Sequence, residues 1–388
     1  MTDTIKPATI SLPSGFRFGA VSEIAPKVLA AIPSPPTLGP LAAFTGEWAG
    51  SGFNTIFRPD STQTPTPFPV PVLGSDNVLE LNLTSESLSF SPGLGSVPNR
   101  GMVQGDIFLN GVPYLQAIND VTIPGQSVGI HIEPGLWMIV PTTTDPKEGT
   151  TLVRMGSIPH GTTIVAQGTS TTISGPPTIP AVDITPFFTA TKLKNPFPSQ
   201  TAANNNTARI PQNLTGTGIT QAMLTDPNSV LRNAIAGQKI TATTTISIST
   251  SPATPLFGGG AENIAFLLGD AAAITNPNGP GQNAQTALMT ATFWIETVQH
   301  TIVVPVFTPG QSPLIIEGEA PKTPGQPVPK FLIDPPIPIT TPRTITVTST
   351  QIQYSQVVML NFNTLTWPHI SVATLVPSTT IVPPVGWN

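Results

Sequence analysis

The chain has 388 residues, carries only 9% charged residues with a net charge of −5, and contains no cysteine. The missing thiols remove disulfides, thiolate metal sites, iron–sulfur clusters and cysteine nucleophiles together. Fifteen Lys+Arg with no cluster among them argue against a nucleic-acid footprint.

A charged share near 9%, against a usual value of about 25%, leaves Thr, Ser, Asn, Gln and Pro to cover the surface. Such a surface repels itself weakly, so the partners it suits are an apolar small molecule or further copies in a homo-oligomer. Pro 47 and Gly 33 without a period would suggest disorder, but 39% hydrophobic content points to many strands joined by Pro/Gly turns. The N-terminus lacks a basic stretch followed by an apolar one, and no apolar run approaches the roughly 18 residues of a membrane helix. The expectation is a cytoplasmic protein without a membrane span.

Residues 1–37 are Pro-rich and weakly patterned, a stiff approach segment. From Leu38 strand-like runs follow at Val78–Leu83, Ser87–Phe90, Gly101–Leu109, Tyr114–Ile118, Val128–Ile132, Leu136–Val140, Thr151–Met155 and Thr162–Ala166. Turn signals such as Asn110-Gly111, Pro134-Gly135 and Pro159-His160-Gly161 separate them, the spacing of sandwiches and barrels. Residues 171–215 read as a boundary or crossing segment, and Asp226–Gly237 as a helix. Strands resume at Ile240–Ile248, Asn263–Leu268, Met289–Phe307, Val328–Ile333, Thr344–Thr348, Gln351–Asn361 and Ile370–Val376, with a bend expected near Gln299-His300. A weak echo pairs Leu88–Pro92 with Ile246–Pro252 and Ile107–Gly111 with Ile264–Gly269, which suggests two related halves.

Leu38-Gly39-Pro40-Leu41 followed by Gly46-x-Trp48-x-Gly50-x-Gly52 resembles the opening of nitrobindin-like proteins, the haem-binding, fatty-acid-binding-protein-like (calycin) β-barrels. Further segments fall in the family's order: Asn110–Gln116, Ile130-His131-Ile132-Glu133-Pro134-Gly135, Ile164–Gly168 and finally Pro368–Leu375. The matches cover roughly 38–170 and 343–377, with a long stretch between them that the compact family barrel lacks. Where the family has Gly-Tyr-x-Arg, this chain has Gly135-Leu136-Trp137. The resemblance implies haem as cofactor, His369 as its axial metal ligand, and His131 and Trp48 as further cofactor-binding residues. It also implies chemistry on diatomic or peroxide-type ligands.

The residues support part of this without the family. A Trp on the first strand can plug a barrel end as a large apolar body whose N–H needs one partner. His369 stands at the start of an alternating strand, where a neutral imidazole could meet iron or simply form a rim hydrogen bond. His131 and Glu133, two apart, share one strand face. His160 reads as an exposed turn residue. Glu296 and His300 share a strand face and could form a second site. His-Glu-x-x-His and Gly-x-Ser-x-Gly are absent, which disfavours a zinc hydrolase or a serine nucleophile elbow.

The fold expected is all-β: an antiparallel barrel, expanded or duplicated into two halves, with few short helices. Its parts would be the segment 1–37, a barrel over 38–195, and a second barrel or an extension over 196–388 that carries the His369 strand. The function expected is binding of haem or another planar apolar ligand. Its rivals are a structural, oligomeric β protein and a cofactor-free enzyme acting on an apolar substrate in the cavity.

Overall fold

The computed structural model describes residues 36–72, 74–252, 258–270, 282–319 and 326–387. Nearly all of the proline-rich segment 1–37 therefore lies outside the described residues.

Ten strands form one closed antiparallel barrel. They are β1 (Gly46–Pro59), β2 (Asn77–Phe90), β3 (Ile107–Asp120), β4 (Val128–Val140), β5 (Thr151–Ile158), β6 (Thr162–Ser174), β7 (Lys239–Ser249), β8 (Gln285–Val304), β9 (Arg343–Phe362) and β10 (Leu365–Pro377). Each strand pairs with its neighbour in the chain, and β10 returns to β1 from Trp48↔Pro377 to Thr55↔Ile370. The two stretches, 38–195 and 196–388, thus contribute six and four strands to a single ring. Gly50 and Gly52 permit the closure. A Cβ on either would stand 2.1 Å from the Thr374 carbonyl or 2.0 Å from that of Val372.

Alternation sends one face of every strand inward. Ile352, Tyr354, Gln356 and Val358 of β9 point inward beside their ladder partners Leu375, Ala373, Ser371 and His369 of β10. One end is sealed. A 3-10 turn at Gly39–Ala43 brings in Leu41 and Phe44, both fully buried. Phe44 stacks on Phe90 at 4.8 Å and meets Trp137 edge-on at 5.5 Å, while Trp137 stands perpendicular to Phe293 at 5.1 Å.

The segment between β6 and β7 covers the outer wall. Phe187–Phe188 pairs with β10 at Thr366 and Leu365, and Arg209–Ile210 runs parallel to Leu79–Glu80 of β2. Both additions lie where the neighbouring barrel strand no longer pairs, so they satisfy backbone groups that would otherwise be open. Two short helices follow, α1 (Gln221–Thr225) and α2 (Ser229–Ile235), and Gln353 on the outer face of β9 donates to the Leu231 carbonyl at 3.0 Å. Arg209, fully buried, donates to the carbonyls of Ser199, Thr201, Ala202, Asn204 and Gln212 and ties the segment's loops together. A third helical turn, α3 (Ala265–Leu268), precedes β8. Between β8 and β9, the hairpin Leu314–Glu317 with Lys330–Ile333 closes a satellite core around Phe307 and Phe331.

Several expected elements differ. Val78–Leu83 and Ser87–Phe90 are one fourteen-residue strand, and β8 runs through Gln299-His300 without a break, paired to β9 along its length. Asn110-Gly111 and Pro134-Gly135 are strand residues: β3 and β4 pair straight across both, at Asn110↔Ile139 and Tyr114↔Gly135. The continuous ladder between β3 and β4 runs through both positions and outweighs local turn preference. Asn110 instead accepts from the Gly95 amide at 3.1 Å and donates to the Pro36 carbonyl at 2.7 Å, pinning two loops. The segment Asn263–Leu268, expected as a strand, is mostly α3, so the echo between Ile107–Gly111 and Ile264–Gly269 does not extend to structure.

Candidate functional site

Below the aromatic plug the barrel holds a buried polar layer. Glu133 of β4 and Arg154 of β5, at 0% and 2% exposure, are paired at 2.7 Å. Tyr114 donates its hydroxyl to the same carboxylate oxygen, and Arg154 also donates to the Tyr114 hydroxyl at 2.9 Å and to Gln356 at 2.7 Å. Gly156 makes room here, since a Cβ would stand 2.4 Å from Glu133 Oε1. Burial alone would raise the Glu133 pKa, but Arg154, His131 and Tyr114 together hold it down to about 2, so Glu133 is a carboxylate. Beside it, Glu86 accepts from Tyr354 at 2.6 Å, Thr84 at 2.9 Å and Gln116 at 3.3 Å, with burial pushing its pKa upward.

Above this layer lies a cavity of ≈ 190 Å³ reached by Asn54, Asn82, Gln116, Tyr354 and Ser371. A larger one of ≈ 470 Å³ shares Ile56, Arg58, His131, His160, Gln356 and His369 with it and adds Ile158, Leu267, Val358 and Leu360. The walls are thus apolar toward the end of the barrel and polar toward its middle. At the mouth, exposed Arg58 is paired with Glu80 at 2.7 Å.

Three of the four histidines meet in this space. His369 is held well inside: its Nε2 lies 2.9 Å from Asn54 Nδ2, which also donates to Ser371 at 2.8 Å, while Asn82 donates to Asn54 Oδ1 at 3.3 Å. An amide nitrogen only donates, so Nε2 is the acceptor and the neutral ring carries its proton on Nδ1. Burial, then the neighbouring His131 and His160, push the His369 pKa down to about 3. His131 turns Nε2 toward Glu133 Oε2 at 3.4 Å. His160, in the turn between β5 and β6, is exposed as expected, yet its ring stands 5.8 Å from that of His131 and lines both cavities. Burial, then the neighbouring His131, lowers its pKa.

Trp48 stands apart. Its Nε1 donates to the Thr45 carbonyl at 3.0 Å within the aromatic core, and it lines neither cavity, so it is a plug and not a contact for a cavity ligand. Glu296 and His300 share the outer face of β8 but bond different partners. Glu296 accepts from Gln351 at 2.6 Å, and His300 pairs with Ser349 at 2.8 Å. Among the described residues no three His, Asp or Glu side chains come together to hold a metal ion.

For haem, the apolar walls and a histidine held neutral are suitable. The Nε2 lone pair, however, is engaged by an Asn54 amide fixed through two further bonds. As arranged, His369 presents a hydrogen-bond donor to the cavity, not a free nitrogen to an iron. Sequence reasoning found His131, Glu133 and His369. It gave no site role to Tyr114, Gln116 and Arg154, which neighbouring strands set beside Glu133, nor to Tyr354 and Asn54, which come from distant parts of the chain.

No known protein family's sequence pattern matches the chain, and no curated protein matches it. Among solved structures, the crystal structure of Rv2717c from M. tuberculosis aligns with 10% identity and a TM-score of 0.34, over 89% of this chain and 98% of that one. Among the described residues no helix is long and apolar enough to cross a membrane.

Proposed function

We propose that the protein binds a planar, largely apolar small molecule bearing a hydrogen-bond acceptor, in the histidine-lined end of its barrel. The observation that carries this reading is the neutral His369, held by Asn54 at the base of a cavity walled by Ile56, Ile158, Val358 and Leu360. Apolar walls with a few convergent polar groups are the usual make-up of a small-molecule site. The apolar body would lie against the aliphatic walls, and its acceptor would meet His369 Nδ1–H.

Haem is the second reading. The ordered segments ending in Pro368-His369 favour it, and His369 is the residue that would hold the iron once the Asn54 amide had turned away. Haem bound there would supply an iron centre for small diatomic or peroxide-type ligands.

Native mass spectrometry and a haem titration followed by absorbance test both readings. An organic adduct, or 1:1 saturation by a planar apolar dye, supports the first; a bare protein that no such dye saturates overturns it. A Soret band that disappears in His369→Ala and strengthens in Asn54→Ala moves the assignment to haem.

A further inference from the structure

The pairing of His131 with Glu133 has the form of a general base with its orienting acid. Glu133 divides its two oxygens between tasks. Oε1 takes the Arg154 guanidinium and the Tyr114 hydroxyl, which leaves Oε2 for His131 Nε2 at 3.4 Å. A carboxylate held ionised on one ring nitrogen fixes the tautomer with Nε2–H toward the acid and the Nδ1 lone pair free. His131 lines both cavities, and Nδ1 makes no hydrogen bond among the described residues. From a different part of the ring, His369 faces the same space with the opposite chemistry: a neutral imidazole presenting Nδ1–H. An acceptor of protons and a donor of hydrogen bonds, their environments tuned apart, face one apolar cavity. That arrangement suits removal of a proton from carbon next to a carbonyl.

We propose that the His131–Glu133 pair is a general base that takes the α-proton of a planar apolar ketone, while His369 holds the carbonyl oxygen through Nδ1–H. The proposal rests on the cavity binding such a molecule. In the step, His131 Nδ1 takes the proton and the C–H electron pair becomes the carbon–carbon π bond of the enolate. The carbonyl π pair moves onto oxygen, where Nδ1–H of His369 bonds the developing charge. Return of a proton from the His131 imidazolium to the same carbon regenerates the ketone. Return to a conjugated carbon would shift a double bond. Neither route needs an oxidant, reductant or metal. Glu133 is a positioning residue: it stabilises the imidazolium and never touches the ketone.

The test uses 2-tetralone, planar and mostly apolar, with the full-length protein in D2O. Loss of its benzylic α-proton signal is followed by NMR beside free imidazole at equal concentration, and binding is read from line broadening of the aromatic signals. Exchange at least ~100-fold above imidazole is expected, within the range that positioned acid–base groups contribute. His131→Gln, at a half-buried cavity position, should keep its urea midpoint and lose the enhancement. Glu133→Gln also leaves Arg154 without its countercharge and lowers stability; the protein that remains folded should exchange more slowly while keeping the broadening. Tetralone that binds but exchanges at the imidazole rate overturns the proposal and leaves the binding reading intact. Exchange at the wild-type rate in His131→Gln overturns it equally. Tetralone that neither binds nor exchanges counts against both.

Discussion

The two ends of the barrel are built from the same strands and have opposite character. At the sealed end the inward side chains are Leu41, Phe44, Phe90, Trp137 and Phe293, which pack on one another, while the Trp48 N–H among them is taken by the Thr45 carbonyl. At the other end the inward positions carry His131, His369, Asn54, Asn82 and Ser371 around a cavity. The polar layer of Glu133, Arg154, Tyr114 and Gln356 separates them. Position along the barrel axis thus decides whether an inward residue contributes to stability or to the site, and the sequence alternation alone does not report that position.

The layer between the ends is where the largest effect is expected. Arg154→Met leaves Glu133 as an uncompensated buried charge and should cost about 3–5 kcal/mol in urea unfolding; a loss below ~1 kcal/mol would contradict an ionised Glu133 paired in that layer. Phe293→Ala, in the sealed end, should cost a similar ~3–5 kcal/mol through the cavity it leaves, and should not alter binding of a planar dye by the protein that remains folded.

Two buried glutamates extend the contrast to inside and outside. Glu133, inside, has its pKa held to about 2, so its contribution is present above about 4.5 and is lost as pH falls toward 2. Glu296, on the covered outer face of β8, has one oxygen without a partner, and burial raises its pKa from 4.5 to about 8. The folded protein keeps a proton there that the unfolded chain releases, so stability should fall as pH rises from about 4.5 to about 8 and then level off. Glu296→Gln should flatten that slope and exceed the wild type at pH 8 by on the order of a few kcal/mol, read from urea midpoints across pH. A variant no more stable than wild type at pH 8 would contradict the assignment. The smallest effect belongs to the histidine end itself. Val358→Trp projects into the cavity and should change stability by less than ~1.5 kcal/mol, because it fills space and does not overpack a dense core.

Much of the barrel was legible in the sequence because alternation and turn residues survive in each strand separately. The i, i+2 spacing of His131 and Glu133 did place both on one inward face, and the N–H of Trp48 did find its single backbone partner. Strand lengths were not legible. Asn110-Gly111 and Pro134-Gly135 read locally as turns, while the closed ladder runs through them. Nor was the polar layer, since Glu86 meets Tyr354 across 268 residues and Arg154 meets Gln356 across 202. Asn54 escaped notice for the same reason: it reaches His369 only because β10 returns to β1, the strand beside it in the closed ring.

Whether the histidine end is a ligand site and the aromatic end is not can be decided by titrating a planar apolar fluorophore into the wild type and into Val358→Trp. The expected result is 1:1 binding to the wild type, weakened at least tenfold in Val358→Trp with stability within ~1.5 kcal/mol of the wild type. Equal affinity in both proteins, or no saturable binding to either, would contradict the assignment of the two ends.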